Sequence, residues 1–266
     1  MENIMSDKKY ALILGSSSGF GAAAAIRLAK EGYDIFGVHL DRRATMPKVE
    51  EIIGKIEAAG VRCTFYNANA ADEGKQKEIA DKVRAEIPNG QHLKVLMHSL
   101  AFGTLKKFID EESAAMTRAN LSMTLDVMAN SLVYWTQECY FRGLLGHGSR
   151  VFAMTSHGAD KAVRSYGAVS SAKAALESYC RQLALELGHI GTTVNAIRAG
   201  VTVTPALEKI PGSDHMIKTA LYRNPAGRLT TPEDIADAMV ALCSMNAQWI
   251  NGDTIAVDNA ENYIDG

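Results

Sequence analysis

The chain has 266 residues, long enough for one sizeable core, and its 47% hydrophobic and 22% charged content is that of a globular protein. A net charge of −2 with no basic run argues against nucleic-acid and membrane-surface partners. Cys63, Cys139, Cys180 and Cys243 are scattered without metal-ligand spacing, no apolar run approaches the roughly 18 residues of a membrane helix, and residues 1–9 lack an apolar signal region; reduced thiols, no metal and a cytoplasmic setting are expected.

Residues 10–14 form a short apolar run that reads as a buried strand. Gly15-Ser16-Ser17-Ser18-Gly19-Phe20-Gly21 follows at once, and 22–30 reads as a helix. Strand, glycine-rich turn and helix together make a nucleotide-binding turn: glycines let the backbone approach a pyrophosphate, and the helix N-terminus supplies amide donors. A second strand at 34–40 ends in Asp41, Arg42 and Arg43. A carboxylate there suits the ribose hydroxyls of NAD, whereas arginines suit the extra phosphate of NADP.

A helix at 47–59 and a strand at 62–66 come next, with Asn69 just beyond, where either an adenine or a plain turn is in keeping with the residues. A charged helix at 72–87 leads to a strand at 93–97 and then to His98-Ser99-Leu100-Ala101-Phe102, small and polar groups suited to a coenzyme edge. Residues 113–140 read as largely helical with a break near Asn120, and Asn130 stands in an apolar segment where its amide needs a partner. A strand at 150–154 ends at Thr155 and Ser156; a long helix spans 166–187; a strand at 193–197 runs on to Gly200, Thr202 and Thr204. Residues 205–224, with Pro211 and Gly212 inside, read as a loop and a candidate substrate lid. A helix at 232–244, capped by Thr231, and a strand at 253–257 complete the chain.

This alternation implies a single α/β domain over 1–266: a doubly wound, Rossmann-type parallel sheet of about seven strands. Ligands then bind at the carboxyl ends of the strands, where the glycine turn, Ser99, Ser156 and Gly200 converge. Tyr166 and Lys173 stand seven residues apart, close to two helical turns, so one face carries both. An ammonium near a phenol lowers the phenol's pKa, which predicts a proton donor usable near neutral pH.

Over nearly its whole length the chain resembles the short-chain dehydrogenase/reductase family. The resemblance is carried by the glycine turn, the Tyr166/Lys173 helix, Val194-Asn195-Ala196-Ile197-Arg198-Ala199-Gly200, Asn224-Pro225-Ala226-Gly227-Arg228 and Gly252-Asp253-Thr254-Ile255-Ala256-Val257-Asp258. Most members of that family place the tyrosine four residues before the lysine; here that position is Val169. The seven-residue spacing and His98-Ser99-Leu100-Ala101-Phe102 are similar to the bacterial enoyl-acyl-carrier-protein reductases, in particular the branch called enoyl reductase III. Departures are Leu14 for a threonine, Ser156 for a second tyrosine ten residues before Tyr166, His39 at the usual acidic position, and Asp258-Asn259-Ala260 for Asp-Gly-Gly.

The resemblance implies reduction of a trans-2-enoyl thioester on acyl carrier protein or CoA, in a homotetramer with residues 113–140 and 166–187 between subunits. Tyr166 then serves the thioester oxygen, assisted by Ser156 or Thr155, and Lys173 serves the nicotinamide ribose. Gly15, Ser17, Ser18, Gly19, Phe20, Gly21, Asn69, Ser99, Leu100, Ala101, Gly200, Thr202 and Thr204 surround the coenzyme. Arg42 and Arg43 tip the expectation to NADPH, while Asp41 leaves NADH open. Two alternatives stand: a carbonyl or alcohol oxidoreductase of the same family, in which Tyr166 protonates an alkoxide, and a coenzyme-binding sensor without chemistry.

Overall fold

The computed structural model describes residues 8–265. From Tyr10 onward every residue of β1 (Lys9–Leu14) is buried, because the strand lies mid-sheet with both faces covered. It pairs in parallel with β2 (Tyr33–His39) on one side and β4 (Val95–His98) on the other. With β3 (Cys63–Asn67), β5 (Arg150–Thr155), β6 (Thr193–Ala199) and β7 (Thr254–Val257), these strands form one parallel sheet in the order β3-β2-β1-β4-β5-β6-β7. The chain winds outward from β1 to β3, then returns to β4 and winds the other way. Strand order therefore reverses between β1 and β4, and a crevice opens at their carboxyl ends.

Each face of the sheet has its own core. One is built on α1 (Gly19–Lys30) and α8 (Pro232–Leu242), where Leu28, Ile235 and Met239 meet Ile13, Met97 and Ile197. The other is built on α3 (Glu73–Glu86), α5 (Ser131–Phe141) and α6 (Gly167–Leu187), where Ile79, Trp135 and Leu176 meet Leu12, Leu96 and Val151. Trp135 is fully buried, and its indole N–H donates to the Ala70 carbonyl at 2.7 Å. The remaining helices are α2 (Met46–Glu57), α4 (Arg118–Leu125) and α7 (Ser213–Arg223). Thr231 caps α8 as the sequence predicts and closes a full capping box with Asp234.

Two expected elements differ. The helical stretch begins at Arg118 and not at 113, with Thr117 as its cap, and Asn120 lies in its first turn without a break. The irregularity falls later, in a π turn at Asp126–Asn130 between α4 and α5, where the Ser131 hydroxyl donates to the Val127 carbonyl at 2.7 Å. Asn130 is satisfied by the Tyr179 hydroxyl, which donates to its Oδ1 at 3.0 Å. Residues 205–224 are not a loop: they contain a 3-10 turn, Leu207–Lys209, and helix α7. Pro211 and Gly212 read as breakers, but Gly212, at φ +83°, is the N-cap of α7, so they mark where the helix starts.

Candidate active site

At the end of β1, Gly15 takes φ +89°, and a side chain there would lie on the Ser99 carbonyl. A side chain at Gly21 would lie on the carbonyl of Gly15. The two glycines thus fold the turn tightly over the crevice. α1 begins at Gly19, and the side chain of its N-cap, Ser18, makes no capping bond, leaving first-turn N–H groups for an anion. Ser16 is buried and donates to the Val38 carbonyl, so it is a packing residue. A dinucleotide's pyrophosphate fits this cradle.

Ser17 faces Asp41 at the end of β2. Burial pushes the Asp41 carboxyl up, but hydroxyls from Ser17 and Thr45 and the ring of buried His39 hold it below its ordinary value. Thr45 donates at 2.7 Å, and His39 Nδ1 lies at 3.0 Å. Asn67 brackets the same residue, accepting from the Asp41 N–H and donating to its carbonyl. Arg42 and Arg43 are exposed, and among the described residues neither guanidinium has a hydrogen-bonding or ionic partner. Asn69 Oδ1 accepts from the Ala71 N–H at 3.0 Å, a turn contact made by the amide oxygen.

The crevice continues into a cavity of about 550 Å3. Phe20, Ser99, Leu100, Ala101, Ser156, Tyr166, Lys173, Thr202 and Thr204 all line it, so the structure brings these residues together. Gly200 backs this wall, since a side chain there would meet Thr230, Glu261 and Asp258. Thr202 donates to the Gly200 carbonyl, and the Thr204 hydroxyl accepts from the Leu207 N–H.

Tyr166 is the N-cap of α6, presented by Ser165 in the left-handed region at φ 59°. Lys173 is buried two turns on, with Nζ donating to the Met154 carbonyl at 2.7 Å. Burial lowers its pKa to about 8. The expected lowering of the Tyr166 phenol by Lys173 is not found. Burial raises that phenol, and the Ser156 hydroxyl pulls it back. Ser156 also accepts from the Gly158 N–H at 3.1 Å. Thr155 cannot assist at a substrate oxygen with its proton, which goes to Glu177 Oε1 at 2.7 Å. Arg198 binds that carboxylate in turn, at 2.9 and 3.0 Å. Val169, four residues before Lys173, is a buried apolar wall.

His98 is fully buried, with Nε2 2.8 Å from Ser131 Oγ. Burial, reinforced by the charge of Lys173, lowers its pKa to about 3, so the ring is neutral. Sequence reasoning missed polar groups in the lining: His157, paired with Asp258 at 3.0 Å, and Glu261. The one signal for them was Asn259-Ala260 in place of two glycines. Among the described residues no cluster of His, Cys, Asp and Glu has a metal-holding arrangement, and no helix is long and apolar enough to cross a membrane.

The family model described as enoyl-(acyl carrier protein) reductase matches residues 15–259. The chain is a short-chain dehydrogenase/reductase. It is 33% identical over 261 residues to the enoyl-[acyl-carrier-protein] reductase [NADH] of Aquifex aeolicus, covering 94% of this chain and 90% of that protein. The crystal structure of the Aquifex enoyl reductase (NADH) superposes with a TM-score of 0.83, at 26% identity over 97% of this chain and 98% of that one. A short-chain dehydrogenase from Burkholderia cenocepacia in complex with NADP superposes with a TM-score of 0.81, at 25% identity over 96% and 98% of the chains. Versicolorin reductase 1 of Dothistroma septosporum is 27% identical over 97% of both. The short-chain oxidoreductase fold is thus shown at full length, among relatives whose named reactions differ.

Proposed function

We propose that this oxidoreductase is a single-domain cytoplasmic homotetramer that reduces the 2,3-double bond of trans-2-enoyl thioesters, presented on acyl carrier protein or CoA. The observation that carries the reading is the position of the donor. The phenol lies seven residues before Lys173 at the start of α6, and the four-residue position is closed by buried Val169. The Aquifex relative supports the same reading by its name.

Bound NAD(P)H supplies the hydride that reaches the β-carbon. Negative charge then builds on the thioester oxygen, and Tyr166 donates to it; stabilising such charge in a water-poor site is usually the largest catalytic term. The raised pKa of Tyr166 keeps the phenol protonated and therefore a donor. Ser156 orients the phenol, and Lys173 holds a positive potential beside the ribose position. Leu207, Ile210 and Met216 line the cavity from the 205–224 segment and suit a lid over the acyl chain. Exposed Arg42 and Arg43 favour the phosphate of NADPH, because the Asp41 carboxylate is already engaged by Ser17, Thr45 and His39.

The test is absorbance at 340 nm with crotonyl-CoA, run with NADPH and with NADH. Oxidation of NADPH in preference to NADH is the expected result. No oxidation with either, alongside saturable coenzyme binding, refutes the enoyl reading and moves the assignment to carbonyl reduction. That second reading is favoured by polar residues in the cavity lining, such as His157 and Glu261, and by the name of the Dothistroma relative.

A further inference from the structure

Helix α7 turns one face to the cavity: Met216, Thr219, Ala220 and Arg223 fall three and four residues apart, and all four line it. Ala220 is the helix's one buried residue. With so little apolar area buried, the place of α7 depends on how its ends are tied.

At the leading end the Thr204 hydroxyl accepts from the Leu207 N–H and the Thr204 carbonyl from the Glu208 N–H, both at 3.2 Å. At the trailing end stands Asn224, the C-cap of α7, 5% exposed and outside the cavity lining. Its Nδ2 donates to the Asp258 carbonyl at 3.3 Å, and its Oδ1 accepts from Asn259 Nδ2 at 2.8 Å and from the Ala226 N–H at 3.0 Å. The turn it grips is itself fixed. The Glu261 N–H donates to the Asp258 carbonyl at 3.1 Å, Asp258 Oδ2 lies 3.0 Å from His157 Nε2, and Glu261 Oε1 accepts from the Val201 N–H at 3.1 Å. Four residues beyond Asn224, Arg228 holds Asp234 of α8 at 2.6 and 2.9 Å. Asn224 is therefore the joint between a thinly packed helix and an anchored base.

We propose that Asn224 is a positioning residue that clamps α7 along the cavity, so that closure of the substrate site is set by its side-chain amide. The clamp rests on the reading of 205–224 as a lid, and it serves an enoyl thioester and a carbonyl substrate alike.

The test is limited trypsin proteolysis of the NADPH-loaded protein, with cleavage sites read by mass spectrometry. Lys209 and Lys218 are exposed within the lid segment, and cleavage after them tracks the population of the opened segment. Asn224→Ala removes all three contacts of the amide and should speed these cleavages about tenfold or more, with cleavage outside 205–224 unchanged. Asn259→Gly is the second variant. It removes one contact, leaves Asn224 in place and suits the left-handed backbone at φ 50°, so it should fold and speed the same cleavages about threefold. In both variants KM for crotonyl-CoA should rise by similar factors, with the dissociation constant of NADPH unchanged. Wild-type cleavage rates within 205–224 in both variants, or acceleration spread evenly over the chain, overturn the proposal. So does an unchanged KM beside faster lid cleavage. Faster lid cleavage in the variants of a protein that does not turn over crotonyl-CoA refutes the enoyl reading and leaves the clamp, with KM then read on butan-2-one.

Discussion

Replacing Lys173 with methionine should change how the stability of the coenzyme-free protein depends on pH while abolishing turnover. Lys173 is 5% exposed, and burial lowers its pKa from 10.5 to about 8. At about 1.4 kcal/mol per tenfold change in proton affinity, holding it charged costs about 3 kcal/mol at pH 7. The sign follows from linkage. The folded pKa is depressed, so the penalty is complete below about pH 8 and fades as pH rises toward the unfolded value near 10.5. The hydrogen bond to the Met154 carbonyl, worth about 1.5–3 kcal/mol for a charged donor, is lost at either pH and offsets the gain. The absolute change at pH 7 is therefore small, and the diagnostic quantity is its pH dependence. Urea unfolding of wild type and Lys173→Met at pH 7 and pH 10 should give stability differences about 2–3 kcal/mol apart, with the variant favoured at pH 7. Equal differences at the two pH values, or a variant favoured at pH 10, would refute a buried, charge-penalised lysine.

Tyr166→Phe should reduce kcat by about 10²–10⁴-fold with coenzyme affinity retained, as read by steady-state rates and fluorescence titration of NADPH. Wild-type turnover would sink the assignment of the donor. Ala260→Gly should stabilise the protein by about 0.5–1 kcal/mol by relieving the left-handed backbone at φ 63°, measured by urea unfolding. Asp234 is held below its ordinary range by Arg228, with Thr231 assisting and burial opposing. Its contribution is present above the unfolded pKa near 4 and is lost as pH falls through the lower folded value, so Asp234→Asn should cost about 1 kcal/mol at pH 7 and progressively less toward pH 2.

The strands and the glycine turn were legible because a sheet covered on both faces demands unbroken apolar runs such as Ala11–Leu14, and because a tight turn over Ser99 tolerates nothing larger than glycine at position 15. The Tyr166/Lys173 face was legible from helical spacing alone. Helix α7 was not, since apart from Ala220 its residues are partly or wholly exposed and little periodicity survives. The direction of the Tyr166 shift was not legible either: spacing placed the lysine two turns on but not the burial that raises the phenol. Glu261 belongs to no periodic element, and its inward aim depends on two residues in a backbone region their types rarely enter. Thr155 looked like a catalytic hydroxyl until Glu177, twenty-two residues on, was seen to accept its proton.

The central place of β1 bears on how the chain is made. Its first partner, β2, follows within twenty residues, but its second, β4, begins only at Val95. While the nascent chain is shorter than that, one side of β1 is an open hydrogen-bonding edge of apolar residues, a template for pairing with another chain. A fragment ending before β4 should accordingly self-associate in sedimentation at concentrations where the full chain shows one defined species, and a monodisperse fragment would contradict this. The same crevice that opens a ligand site between β1 and β4 makes the first third of the chain wait for the middle third, so synthesis passes through an interval in which protection must come from outside the molecule.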